Sequence, residues 1–147
     1  MLILVMGVRG AGKTPLAQEL ASVMGYKFID SSELYSESII KKLNNQEMPD
    51  EIERKEFLSK VKAASSKALI GAENVILSCP ALREKDRVEI LSDGDFFKII
   101  YLEHDSENQQ QSKSLEPPLD AIKVKAALPI QTQVDIVLQN LTLQFAA

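Results

Sequence analysis

The stretch Gly7-Val8-Arg9-Gly10-Ala11-Gly12-Lys13-Thr14 most limits what this chain can become. It fits the pattern G-x-x-x-x-G-K-[ST] in full. The aliphatic run Leu2-Ile3-Leu4-Val5-Met6 precedes it, and Leu16, Leu20 and Val23 follow at helical spacing. A buried strand must therefore enter a glycine loop that opens into a helix. The glycines let the backbone wrap a phosphate chain with its N–H groups turned inward. The helix adds the positive end of its dipole. Lys13 can reach the β- and γ-phosphates of a nucleotide, and the Thr14 hydroxyl can ligate the Mg²⁺ that bridges them. A glycine turn that merely joins strand to helix is the competing reading, and the complete pattern in this context outweighs it. Pro15 is sterically acceptable in the first helical turn, but it removes one N–H and one hydroxyl from the phosphate region.

The rest of the chain alternates in the same way. Lys27-Phe28-Ile29, Val75-Ile76-Leu77-Ser78-Cys79, Phe96 to Leu102 and Ile122-Lys123-Val124 read as further strands. Helical stretches are expected over Glu33 to Leu43, Asp50 to Ile70, Leu82 to Leu91 and through Val134, Val137, Leu138 and Leu141. In the long one, Leu58, Val61, Ser65, Ala68 and Leu69 share a face. Strands that are continuously apolar are covered on both sides, which implies a parallel sheet between helical layers. The 147 residues suffice for one domain of this kind.

Composition removes several function classes. A net charge of -4 lacks the basic footprint of a general nucleic-acid binder. One cysteine, Cys79, excludes an internal disulfide framework, and with the one histidine, His104, makes a His/Cys zinc site implausible. The Met1 to Met6 run is too short to span a bilayer, and no basic segment precedes it. A soluble cytoplasmic protein is the expectation.

Two further segments are more selective than the loop. Cys79-Pro80-Ala81-Leu82-Arg83 and Leu115-Glu116-Pro117-Pro118, with Met6-Gly7-Val8 and Phe28-Ile29-Asp30, resemble the corresponding segments of the gluconate kinases (gluconokinases). These are small P-loop sugar-acid kinases, related in fold to shikimate and nucleoside monophosphate kinases. The resemblance runs nearly end to end. It implies an α/β P-loop NTPase fold, a nucleoside-monophosphate-kinase-like three-layer sandwich with a parallel sheet of about five strands. It implies ATP and Mg²⁺ as cofactors and a sugar acid as substrate, with D-gluconate converted to 6-phosphogluconate. No nucleic-acid or membrane partner is implied, and the relatives of the fold suggest a homodimer.

The resemblance also distributes roles. Gly7, Arg9, Gly10, Ala11, Gly12, Lys13 and Thr14 would hold the nucleotide phosphates, and Glu116 and Pro117 would lie near the adenine. Thr14 and Asp30 would serve the metal. Lys13, Asp30 and Glu33 would serve catalysis, with Glu33 as the substitute base. Arg54, Arg83 and Arg87 would meet the sugar-acid carboxylate, since a planar guanidinium suits a carboxylate. Competing readings remain: Asp30 as a helix N-cap, and the three arginines as solvated helix charges. The chain also departs from the family pattern. Ser32 replaces a second aspartate, Tyr35 a histidine, and Gln46-Glu47-Met48-Pro49 a glycine-proline stretch. The lid, reduced around residues 103–114, contains no arginine. Three functions therefore stay open: a gluconokinase of reduced activity, a related small-molecule kinase with altered substrate, and a non-catalytic nucleotide-binding paralogue or lidless variant.

Overall fold

The structure, a computed structural model, describes residues 1–91, 96–104 and 114–146. Five strands, β1 (Leu2–Met6), β2 (Lys27–Asp30), β3 (Val75–Ser78), β4 (Phe97–Glu103) and β5 (Ile122–Lys125), form one sheet in the order β2-β3-β1-β4-β5. Every pairing is parallel. The helices are α1 (Lys13–Met24), α2 (Glu37–Asn44), α3 (Glu51–Gly71), α4 (Glu84–Ile90) and α5 (Ile130–Ala146).

β1 lies at the centre, and all five of its residues are buried. Its alternating side chains sort onto the two faces. Ile3 and Val5 join Leu16, Leu20, Val134 and Val137 beneath α1 and α5. Leu2, Leu4 and Met6 join Phe57, Leu58 and Val61 beneath α3. A strand covered on both sides needs no polar alternation, which is why the run is continuously aliphatic. The expected three-layer sandwich is thus observed. All strands point the same way, so the loops after β1, β2 and β3 open at one edge, where parallel α/β sheets hold their ligands.

The expected helix over Glu33 to Leu43 is divided. Ser31–Leu34 forms a 3-10 turn capped by Asp30, which accepts from the Ser32 amide, and Tyr35 is extended. Ser36 then caps α2, its Oγ accepting from the Ile39 amide at 3.2 Å. Two good N-caps six residues apart give two short helices in place of one. The expected Leu82 to Leu91 helix begins only at Glu84, because Arg83 is extended and the Leu82 carbonyl accepts from Glu116 and Arg87. α3 begins as expected, with a capping box in which Asp50 and Glu53 bond each other's amides. No described helix is long and apolar enough to cross a membrane.

Candidate active site

The loop after β1 and the end of β2 enclose a cavity of about 390 Å³. Arg9, Gly10, Gly12, Lys13 and Thr14 line one side of it. Asp30, Ser31, Ser32 and Tyr35 line another, with Leu43 and Asn44 from α2 and Ser78 and Pro80 from the β3 end. Two glycines make the loop geometrically feasible. A Cβ on Gly7 would stand 2.7 Å from the Leu102 carbonyl oxygen, and Gly12 heads α1 with a φ of 94°.

Lys13 Nζ donates to the Val8 carbonyl at 2.9 Å, bridging the loop across its own concavity. Burial lowers its pKa to about 8; the positive Arg9 adds to the effect and the Asp30 carboxylate opposes it. Asp30 has two partners. Its Oδ1 accepts from the Ser32 amide at 2.9 Å and its Oδ2 from the Thr14 hydroxyl at 3.1 Å. Burial pushes the Asp30 pKa up, but the Ser32 and Thr14 donors outweigh it, and the net shift is downward. The carboxylate therefore stays charged. The N-cap reading and the metal-side reading of Asp30 hold together, one on each oxygen.

A hard divalent cation needs oxygen ligands, and the Thr14 hydroxyl and Asp30 carboxylate are adjacent oxygens on the cavity wall. Beneath them the Ser78 hydroxyl is buried and lacks a hydrogen bond of good geometry, although it lies near enough to favour the Asp30 charge. These donors fit Mg²⁺ beside a phosphate chain.

A second cavity of about 160 Å³ shares Tyr35, Leu43 and Pro80 with the first. Its walls are otherwise mostly apolar, including Ile39, Met48, Phe57, Leu58 and Leu82, with Arg54 and Arg83 as its cations. Tyr35 and Phe57 stack at 4.7 Å between ring centroids and form part of the floor. Arg54 is held on both sides, by Asp86 at 2.9 Å and by Glu51. The Arg83 side chain forms no hydrogen bond or ion pair among the described residues, and the residue is the N-cap of α4.

Other expected site residues lie elsewhere. Arg87 is 5% exposed and gives its guanidinium to the Ala81, Leu82 and Glu116 carbonyls at 2.8, 3.2 and 2.8 Å. It is neither a solvated charge nor open to a carboxylate. Its reach is taken by the turn after β3, where Ala81 carries a φ of 43°. Glu33 is exposed and lines neither cavity, so the expected substitute base is turned to solvent because the 3-10 turn carries it away from Asp30. Glu116 and Pro117 border a separate depression alongside Val88 and Phe97, with no residue in common with the phosphate cavity. The Glu116 side chain accepts from the Glu84 amide at 3.0 Å, capping α4. The expected lid segment lies mainly in residues 105–113, outside the described residues.

Sequence reasoning missed Asp86. It is 6% exposed and anchors Arg54, yet in the charged run Glu84-Lys85-Asp86-Arg87 it looks like one more solvated side chain. Two buried charges, three and four residues after Arg83, are the one signal it offers, and only packing reveals it.

Residues 2–83 match the family model described as magnesium chelatase, subunit ChlI. That span runs from β1 through the phosphate loop and β3 to the turn that follows, and over it the chain belongs to this P-loop nucleotide-binding family. A gluconokinase of Arabidopsis thaliana is 32% identical over 94 residues, covering 64% of this chain and 49% of that protein. A probable gluconokinase of Dictyostelium discoideum is 27% identical over 120 residues, covering 79% and 60%. The crystal structure of a gluconokinase from Sinorhizobium meliloti 1021 superposes with a TM-score of 0.79 at 24% identity, over 97% of this chain and 95% of that one. The chain thus has the fold of a small P-loop kinase and is similar in sequence to gluconokinases. It spans about half to three-fifths of the length of the two curated relatives, while its fold is shared along nearly the whole chain.

Proposed function

We propose that this protein is a kinase that transfers the γ-phosphoryl group of ATP to a hydroxyl of a sugar acid, with D-gluconate as acceptor and 6-phosphogluconate as product. The observation that carries the reading is the pair of adjoining cavities, one walled by the phosphate loop and one bearing arginines, with Tyr35, Leu43 and Pro80 between them. Names of the relatives supply the acceptor.

In this reading the loop amides and Lys13 hold the phosphate chain. Lys13 leaves the Val8 carbonyl for the terminal phosphates, where its positive charge offsets the charge that develops during transfer. Thr14 and Asp30 would hold Mg²⁺, which neutralises phosphate charge when bound. Arg83 faces the acceptor cavity and would take the carboxylate of a sugar acid. Arg54, fixed by Asp86 and Glu51, keeps that side of the cavity electrostatically balanced. Asp30 is the one carboxylate lining the phosphate cavity among the described residues, and it would orient the attacking hydroxyl.

A second reading, a nucleotide-binding protein without transfer, is favoured by one feature: both oxygens of Asp30 already accept hydrogen bonds, and Glu33 is not there to help. ADP release measured with ATP, Mg²⁺ and a panel of sugar acids separates the two. Gluconate-dependent release that disappears in Lys13→Met supports transfer. ATP binding with no acceptor-dependent release from any panel member supports the second reading and removes the first.

A further inference from the structure

The sequence holds four arginines, and each has a different setting. Arg54 is held between Asp86 and Glu51. Arg87 is buried against three backbone carbonyls. Arg83 lines the acceptor cavity. Arg9 is the arginine of the phosphate cavity.

Arg9 is the third residue of the glycine loop. It is exposed, and its Nη1 donates to the Leu43 carbonyl at 3.1 Å. Leu43 lies in the last turn of α2 and lines both cavities. The guanidinium therefore spans from the phosphate loop to the element that walls the acceptor site. Two physical facts suit this position to a second partner. The C-terminal end of a helix carries partial negative charge, which favours a cation there. A guanidinium has five N–H donors in a planar fork, so one edge can bond a carbonyl while another bonds a phosphate oxygen. Its charge already acts on its neighbours, since it helps to lower the pKa of Lys13.

We propose that the Arg9 side chain contacts the terminal phosphoryl group of a bound nucleoside triphosphate and ties it to the C-terminal end of α2. Arg9 thereby distinguishes triphosphate from diphosphate and closes α2 on the loaded site. During transfer it adds a second cation, beside Lys13, to the equatorial oxygens of the moving phosphoryl group. The proposal rests on the phosphoryl-transfer reading for its catalytic part, and on nucleotide binding alone for the rest.

The test uses Arg9→Met and Arg9→Lys in the full chain. Calorimetry reads the Kd of a non-hydrolysable ATP analogue and of ADP, each with Mg²⁺, and a thermal melt reads folding. Arg9→Met is expected to weaken the analogue by roughly tenfold, leave ADP within about twofold and leave Tm unchanged, while Arg9→Lys recovers part of the loss. Equal weakening of both nucleotides would reduce Arg9 to a structural latch on α2 and overturn the proposal, as would no change in either. Wild-type protein that binds neither nucleotide overturns both this proposal and the phosphoryl-transfer reading. An Arg9-dependent preference for the analogue, without phosphorylation of any acceptor, keeps triphosphate sensing and removes transfer.

Discussion

Lys13 carries the clearest consequence at the scale of single residues. Burial holds its pKa at about 8, below the usual value for lysine. Bound phosphates favour the charged ammonium and must raise that value. The sign follows: above about pH 8 nucleotide binding takes up a proton, and affinity falls as pH rises through 8 towards the bound-state pKa. Calorimetry at pH 8.5 in two buffers of different ionisation enthalpy should show uptake approaching one proton, and Lys13→Met should show none. Cys79 gives a second test. It is fully buried, and burial pushes its pKa up to about 11, so the thiolate nucleophile is scarce at neutral pH. Iodoacetamide at pH 7.5 should leave the folded protein unmodified and label it once it is unfolded. Rapid labelling of native protein would mean that the turn after β3 opens freely. The phosphate-loop residues were legible at this scale because the motif is local: eight consecutive residues define the backbone path and its chemistry. Arg87 and Asp86 were not, because a charged side chain on a short helix has the same sequence signature whether it faces solvent or a buried carbonyl.

At the scale of elements, the turn after β3 is the piece that the site depends on most. Ala81 sits in the left-handed region, a conformation that costs free energy for a residue with a Cβ. Arg87 holds that turn and the backbone at Glu116 together through three carbonyls. Replacing it by leucine takes this donor from the Ala81 and Glu116 carbonyls, while Leu82 keeps the Glu116 amide, and the expected loss is roughly 3 kcal/mol of folding stability, read as a lower urea midpoint. An unchanged midpoint would mean that water replaces the guanidinium without penalty. The cap of α3 is a smaller matter: Asp50→Ala should lose about 1 kcal/mol. The sequence showed β1 and β3 well, because burial on both faces leaves a nearly uninterrupted aliphatic signature. It showed α3 well, because a capping box and one apolar face agree. It hid the division between the 3-10 turn and α2, where hydrophobic spacing is continuous and only the competition between the Asp30 and Ser36 caps breaks the helix.

At the scale of the whole molecule, the parallel sheet order carries the phosphate loop, Asp30 and the turn after β3 to one edge. That convergence links residues far apart in sequence, and a resemblance spread along the chain could anticipate it although no local pattern could. Placement of Glu116 away from the phosphate cavity could not be anticipated, since a short segment says nothing of which side of a sheet it crosses. Transfer to a sugar acid is the claim that unites both cavities. The most direct measurement is mass spectrometry of the acid itself after incubation with protein, ATP, Mg²⁺ and gluconate. A phosphorylated gluconate that accumulates with wild-type protein and is absent with Lys13→Met is the expected result. Unmodified gluconate, under conditions where ATP is shown by calorimetry to be bound, would contradict it.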